Sequence, residues 1–407
     1  MKLFTHSRVA LLGAFQVFLL VAAMFTVLLT VTPGQAKDTI PSTQLVIQLQ
    51  AGVAITTINQ AYGATLVRPL TTPNSYLVSV STKVNVELLL VRLASDPRLI
   101  YAEVNYAASL TESAQISMWD DQGSALQTGG GTPVSLAQAR TQWAFQKINL
   151  ASAQQLSQGA NIKIALLDTG VSSIHPDLNS RLLPGYNTIT KTSNVNDDSG
   201  HGTFVAGLLA QVAPAAKILP IKVLDSTGRG TVADAAEGLT YAADQGVKVA
   251  NVSLGVYVDS KTLSDAVKYA QKKGVLVVAS AGNDNLSQVR YPAAYSEVLG
   301  IAATDQQNQK ASFSNYGKEV DLSAPGVLLY STYWQGGYAY GSGTSFAVPQ
   351  VVGDAALVWA LHPDWKAKDV SEQIDKTVIP FDKSSTYGKK SLGAGSIDTY
   401  QSCLSSD

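Results

Sequence analysis

The chain has 407 residues, of which 46% are apolar and only 14% charged, with 29 Lys+Arg against 30 Asp+Glu for a net charge of −1. That balance excludes a polyelectrolyte, a disordered tail and a nucleic-acid binder whose affinity rests on neutralising phosphates. A single cysteine, Cys403, excludes an intrachain disulfide and a structural cysteine-based metal site. Stability must therefore come from an apolar core, and the length predicts two or three domains.

Lys2 and Arg8 precede an uncharged stretch, 9–31, which ends at Pro33-Gly34-Gln35-Ala36 before the charged Lys37 and Asp38. Basic residues, an apolar run and a small-residue break in that order are an export signal. The run exceeds the roughly 7–15 residues of a usual signal-peptide core and is long enough to span a bilayer. Cleavage after Ala36 and retention as an anchor by residues 9–31 are both open. Either outcome keeps the basic residues inside and puts the rest of the chain outside the cytoplasm.

Residues 43–106 read as strand 44–50, helix 53–62, strand 65–70, strand 76–81, helix 84–94 and strand 99–106, a β-α-β-β-α-β order. Such a unit is a ferredoxin-like α+β domain. It contains no Cys and no His, so its role is binding or folding. From about 107 to 141 the chain carries Ser, Gln, Thr and the run Gly129-Gly130-Gly131 without a sustained apolar period, which predicts a flexible linker. Beyond Trp143, short apolar runs at 162–167, 216–223, 247–254, 275–280 and 298–303 alternate with helical patterns at 232–244, 263–273 and 346–361. This predicts an open α/β domain with a parallel sheet buried on both faces and reactive residues at the carboxyl ends of its strands.

The chain has only four histidines: His6, His175, His201 and His362. His6 lies in the export segment, and His175 and His362 stand in His-Pro-Asp turns. His201 lies in Ser199-Gly200-His201-Gly202-Thr203 just before a helical run at 204–211, where flanking glycines allow close approach to the ring. It is the best general-base candidate. Asp168 ends the strand 162–167 and would orient that ring, whereas an aspartic-protease pair would need a second Asp-Thr-Gly, which does not occur. Ser345, in Gly343-Thr344-Ser345-Phe346-Ala347-Val348-Pro349, opens an apolar helix, where its N–H is free to donate toward a developing oxyanion. Pro349 cannot donate back to the Ser345 carbonyl. Asn283, after the strand 275–280, would supply a second donor, worth roughly 2.7–4 kcal/mol in comparable sites.

Taken together, Asp168-Thr169-Gly170 with Ser173-Ile174-His175-Pro176-Asp177-Leu178, Gly200-His201-Gly202-Thr203, Asn251-Val252-Ser253-Leu254-Gly255, Ala281-Gly282-Asn283 and Gly343-Thr344-Ser345 resemble, in order, the blocks of the subtilisin family of serine endopeptidases. The Asp, His, Ser chain order is the same. The resemblance implies that Ser345 attacks the scissile carbonyl, His201 moves the proton, Asp168 orients His201, and Asn283 with the Ser345 N–H stabilises the oxyanion. Extended substrate would lie between the edges Ser253-Leu254-Gly255 and Gly228-Arg229-Gly230.

Residues 43–106 are similar to the family's propeptide, which implies a zymogen cut by itself between Tyr106 and Trp143, with the propeptide as intramolecular inhibitor. The implied organisation is 1–36 signal peptide or anchor, 42–108 propeptide, 109–141 linker and 142–407 subtilisin-like parallel-sheet catalytic domain flanked by helices. The other implied properties are protein or peptide substrates, no nucleic-acid partner, a monomer, secretion, and membrane contact only if the N-terminal segment is retained. No cofactor is required. Val212-Ala213-Pro214 follow the helix directly where the family carries a calcium-binding loop, so no calcium is expected there; weaker calcium sites are not legible.

Phe-Ala-Val-Pro-Gln replaces the more usual Met-Ala-Ser-Pro-His after Ser345, which alters packing behind the nucleophile but no catalytic role. The segment 283–291 is short, leaving the preference for the residue before the scissile bond open. Gly393-Ala394-Gly395-Ser396-Ile397-Asp398 is the usual close of the catalytic domain, so no accessory module is expected. Two other classes compete: an inert subtilase-fold binding protein, and an esterase, which would be expected to carry a Gly-x-Ser-x-Gly elbow that is missing here.

Overall fold

The computed structural model describes residues 43–111, 139, 141–381 and 386–404; the expected export segment, His6 and most of the expected linker lie outside them. The N-terminal layer comprises β1 (Gln44–Leu49), α1 (Ile55–Tyr62), β2 (Thr65–Pro69), β3 (Ser75–Ser79), α2 (Val86–Ala94) and β4 (Leu99–Val104). Its strands form one antiparallel sheet in the order β2-β3-β1-β4. Alternate residues Leu45, Ile47 and Leu49 of β1 point into one apolar cluster with Val78, Leu89 and Leu93. Val46 and Leu77, on the opposite face, pack against Ala233.

The strands that follow are β5 (Ala107–Leu110), β6 (Lys163–Asp168), β7 (Tyr186–Asn187), β8 (Lys217–Lys222), β9 (Arg229–Thr231), β10 (Val249–Val252), β11 (Leu254–Gly255), β12 (Leu276–Ser280), β13 (Val298–Thr304) and β14 (Leu322–Pro325), before a separate antiparallel pair at Leu329–Thr332 and Tyr338–Gly341. Seven of them make a parallel sheet in the order β14-β13-β12-β10-β6-β8-β7. Helices α3 (His201–Val212) and α6 (Thr344–Leu361) cover one face, α4 (Val232–Asp244) and α5 (Lys261–Lys272) the other. Within β6, Ile164 and Leu166 face the first pair while Ala165 and Leu167 face the second, which is why the strand reads as an unbroken apolar run. Helix α6 is long and apolar enough to cross a membrane, but 89% of it is buried in the protein, as expected of a central core helix.

Two expectations are corrected, and two short strands are added. The predicted strand 247–254 divides at Ser253 into β10 of the main sheet and β11 of a second, three-stranded sheet. The edge strands β7 and β14 were not foreseen, being two and four residues long. The stretch expected to be flexible from about 107 is ordered at its start, because Ala107–Leu110 is strand β5, paired on both sides. Four residues carry no readable alternation, and the strand exists only because its partners come from distant parts of the chain.

Candidate active site

Parallel strands bring their carboxyl ends to one edge of the sheet, and the predicted polar residues gather there. Asp168 closes β6, fully buried, and its Oδ1 accepts the Thr169 N–H at 2.7 Å. His201 opens α3 and is 1% exposed, with Nδ1 2.7 Å from Asp168 Oδ1. A carboxylate accepting from Nδ1 leaves Nε2 as the ring's basic atom. Burial raises the Asp168 pKa, and the adjoining imidazole and the Thr169 N–H oppose that rise. Gly202 is required beside the pair, because a Cβ there would lie 2.0 Å from the Gly170 carbonyl oxygen and 3.1 Å from Asp168 Oδ1.

Asp197, which the sequence alone did not single out, braces both partners. Its Oδ1 accepts from Thr169 Oγ1 at 2.9 Å and from the Ser199 and Gly200 N–H groups at 3.0 and 2.9 Å. Its Oδ2 accepts from the N–H and hydroxyl of Thr203 at 2.8 and 2.6 Å. Thr169 Oγ1 in turn accepts the Gly202 N–H at 3.0 Å, tying the end of β6 to the start of α3. An acidic residue four positions before the histidine was the available signal, but only the fold says where it points.

Ser345 is the second residue of α6, fully buried, and its hydroxyl donates to the Ser253 carbonyl at 3.2 Å. The Phe346 ring beside it lies 5.4 Å from the His201 ring. The helix start contains a compensated defect. Pro349 has no N–H for the Ser345 carbonyl, and the Ser253 hydroxyl supplies that bond instead at 3.1 Å. Ser253 Oγ is itself held by Asn251 Nδ2 at 2.9 Å. Asn283 Oδ1 accepts the Thr344 N–H at 2.9 Å, which orients the amide and commits its oxygen, leaving NH2 as the end that donates.

The two predicted edges flank β5. Leu254 and Gly255 pair with Leu110 and Ser109, and Arg229, Gly230 and Thr231 pair with Ser109, Ala108 and Ala107, all antiparallel. Gly228 contributes its carbonyl to the Leu110 N–H at 2.9 Å. Thr111 follows β5 and is fully buried, with Oγ1 2.8 Å from Ser345 Oγ. The chain's own extended segment therefore lies between the two predicted edges and brings Thr111 onto the candidate nucleophile.

The other described histidines stand apart from this cluster. His175 is held by the Gly337 carbonyl at 3.0 Å and by the Asp177 N–H at 3.3 Å, and burial lowers its pKa. His362 follows α6 and stacks on Trp365. Cys403 is a buried free thiol whose pKa burial drives upward.

A model described as the Subtilase family matches residues 159–397, and one described as the Fervidolysin N-terminal prodomain matches 35–105. The chain is 41% identical over 270 residues to thermitase of Thermoactinomyces vulgaris, covering 64% of this chain and 95% of that protein. It is 40% identical over 262 residues to subtilisin BL of Lederbergia lenta, covering 62% and 96%. The fold matches the crystal structure of fervidolysin from Fervidobacterium pennivorans with a TM-score of 0.76 at 24% identity, over 91% of this chain and 62% of that one.

Proposed function

The chain belongs to the subtilase family and is a subtilisin-like serine protease with an N-terminal prodomain, and from that premise we propose that it is a secreted endopeptidase made as a zymogen and working through an acyl-enzyme on Ser345. The observation that carries the reading is the seating of β5 between β9 and β11 with Thr111 on Ser345 Oγ, beside the buried Asp168–His201 pair. Ser345 Oγ adds to the peptide carbonyl while His201 Nε2 takes its proton. Asp168 holds the ring and stabilises the imidazolium. The oxyanion receives the Asn283 amide and the Ser345 N–H, donors fixed before the reaction begins. His201 then protonates the departing amine, and water, deprotonated by the same ring, releases the acid.

Main-chain pairing to Gly228, Arg229 and Gly230 on one side and Ser253, Leu254 and Gly255 on the other would align peptide substrates while reading little of their sequence. The prodomain would hold the enzyme silent by occupying that channel. The reading calls for no cofactor, a monomer, and export directed by the basic and apolar N-terminus. The test is a comparison of the recombinant precursor with its Ser345→Ala variant. The precursor should lose its prodomain in purified form and then cleave casein, and the variant should do neither. Equal processing of both would remove the basis for self-cleavage.

A further inference from the structure

Arg290, a buried cation that the sequence did not single out, lies beside the clamped strand β5. Continuing the register of β5 past Leu110↔Leu254 sets Thr111 opposite Ser253, the residue whose carbonyl accepts from the Ser345 hydroxyl. Leu110 is committed to Leu254 and to the Gly228 carbonyl, so the first carbonyl beyond the clamped strand is that of Thr111. The Thr111 hydroxyl lies 2.8 Å from Ser345 Oγ, 3.2 Å from Ser280 Oγ and 3.5 Å from Thr344 Oγ1. Its surroundings are thus short hydroxyl side chains at the ends of β12 and the start of α6.

A Cβ on Gly255 would lie 2.8 Å from Arg290 Cβ and 3.2 Å from its Cδ, and a Cβ on Gly282 would lie 3.2 Å from its Cγ. The Arg290 stem therefore lies against the backbones of Gly255, which pairs with Ser109 of β5, and Gly282, two residues past Ser280. Its backbone N–H is bound to the Ala281 carbonyl at 3.0 Å. The guanidinium is tethered by Asp284 at 2.9 Å, lies 4.5 Å from the centre of the Tyr257 ring, and reaches Ser109 Oγ at 3.4 Å. With a side chain only 9% exposed, a stacked cation and a paired charge, Arg290 has little freedom to swing out.

We propose that Thr111 is the acyl donor in self-processing, cut on its C-terminal side, and that Arg290 shortens the pocket so that small side chains such as Thr, Ser and Ala are selected there. The proposal rests on the protease reading above and refines it. An aromatic residue at that position would have to displace the Arg290 stem and break its ion pair with Asp284, leaving that carboxylate only the Tyr257 hydroxyl.

Two measurements test it on the full-length precursor. Mass spectrometry at early times should find the released prosegment ending at Thr111 and a new N-terminus at Glu112. On tetrapeptide p-nitroanilides the mature enzyme should have a kcat/KM at least about tenfold higher for Thr or Ala than for Phe at the last position. Thr111→Phe should slow processing by about tenfold, and adding Arg290→Gly should restore it and raise the Phe substrate relative to Ala by a similar factor. Arg290→Ala serves if the glycine variant does not fold, and the wild-type substrate ratio needs neither. A first cut elsewhere, or a wild-type preference for Phe, overturns the proposal and leaves the protease reading intact. Failure of the wild-type precursor to process, or processing of Ser345→Ala, overturns that reading itself.

Discussion

Glu103 Oε1 accepts the backbone N–H of Thr262 at 2.9 Å, so a side chain of the prodomain caps a helix of the catalytic domain. The same carboxylate takes the Lys261 N–H at 2.9 Å and the Ser260 hydroxyl at 2.8 Å. Asn105 does the like for α4, accepting the Ala233 N–H at 3.0 Å. Two helix N-termini, each with donors that have no partner within the helix, thus face the prodomain. Arg68 adds charge to the contact through Asp234 at 2.9 Å and through Glu237.

Glu103→Ala should therefore weaken the prodomain's hold without touching the reacting groups. A charged cap is worth about 1–2 kcal/mol, a loss of roughly 5- to 30-fold in affinity. The inhibition constant of added prosegment against mature enzyme reads this directly, and kcat on a small peptide should not change. An unaltered inhibition constant would mean that water replaces the carboxylate at no cost.

Asp168→Asn should reduce kcat on the order of 10⁴-fold with little change in KM, because an amide presents a donor where His201 Nδ1–H needs an acceptor, and the ring is then held in the wrong tautomer. Steady-state kinetics on a peptide ester and a peptide amide give the split. A loss below about tenfold would show that the 2.7 Å contact is structural and not catalytic.

Asn283→Ala should lower kcat by about 10²–10³ with KM nearly unchanged, since the amide meets charge that exists only in the transition state. The variant also frees the Thr344 N–H, so a thermal melt must accompany the kinetics. A change in KM alone would assign Asn283 to substrate binding.

Much of this was legible beforehand, for identifiable reasons. The strand at 162–167 and the helices at 201–212 and 344–361 bury residues on every side, so burial is written directly as apolar runs, and Asp168, His201 and Ser345 stand out as polar residues at their ends. Strand β5 was illegible because its four residues gain order only from β9 and β11. Arg290 reads locally as an ordinary surface cation; its burial depends on Gly255, 35 residues earlier, and on the turn that brings back Gly282 and Asp284. Asp197 was hidden for the same reason, since four of its five donors lie within six residues but their convergence requires the turn to have formed.

A buried carboxyl far from the active site should give the protein a pH-dependent stability. Asp354, in the middle of α6, is fully buried, and its pKa is pushed up to about 7 by that burial against the hydrogen bond from Ser402, with Asp398 adding to the rise. An unfolded chain would ionise it near its ordinary 3.8. Between those values the folded state holds a proton that the unfolded state releases, so stability falls as pH rises. This contribution is fully present below about pH 4 and is lost progressively up to about pH 7, a few kcal/mol in all. Asp354→Asn keeps the shape and the acceptor for Ser402 but cannot ionise, so its loss of stability over that range should be smaller. Urea melts at pH 5 and pH 8, made in the Ser345→Ala background to prevent autolysis, supply the comparison. Equal slopes with and without the substitution would show that Asp354 is not the group that couples stability to pH.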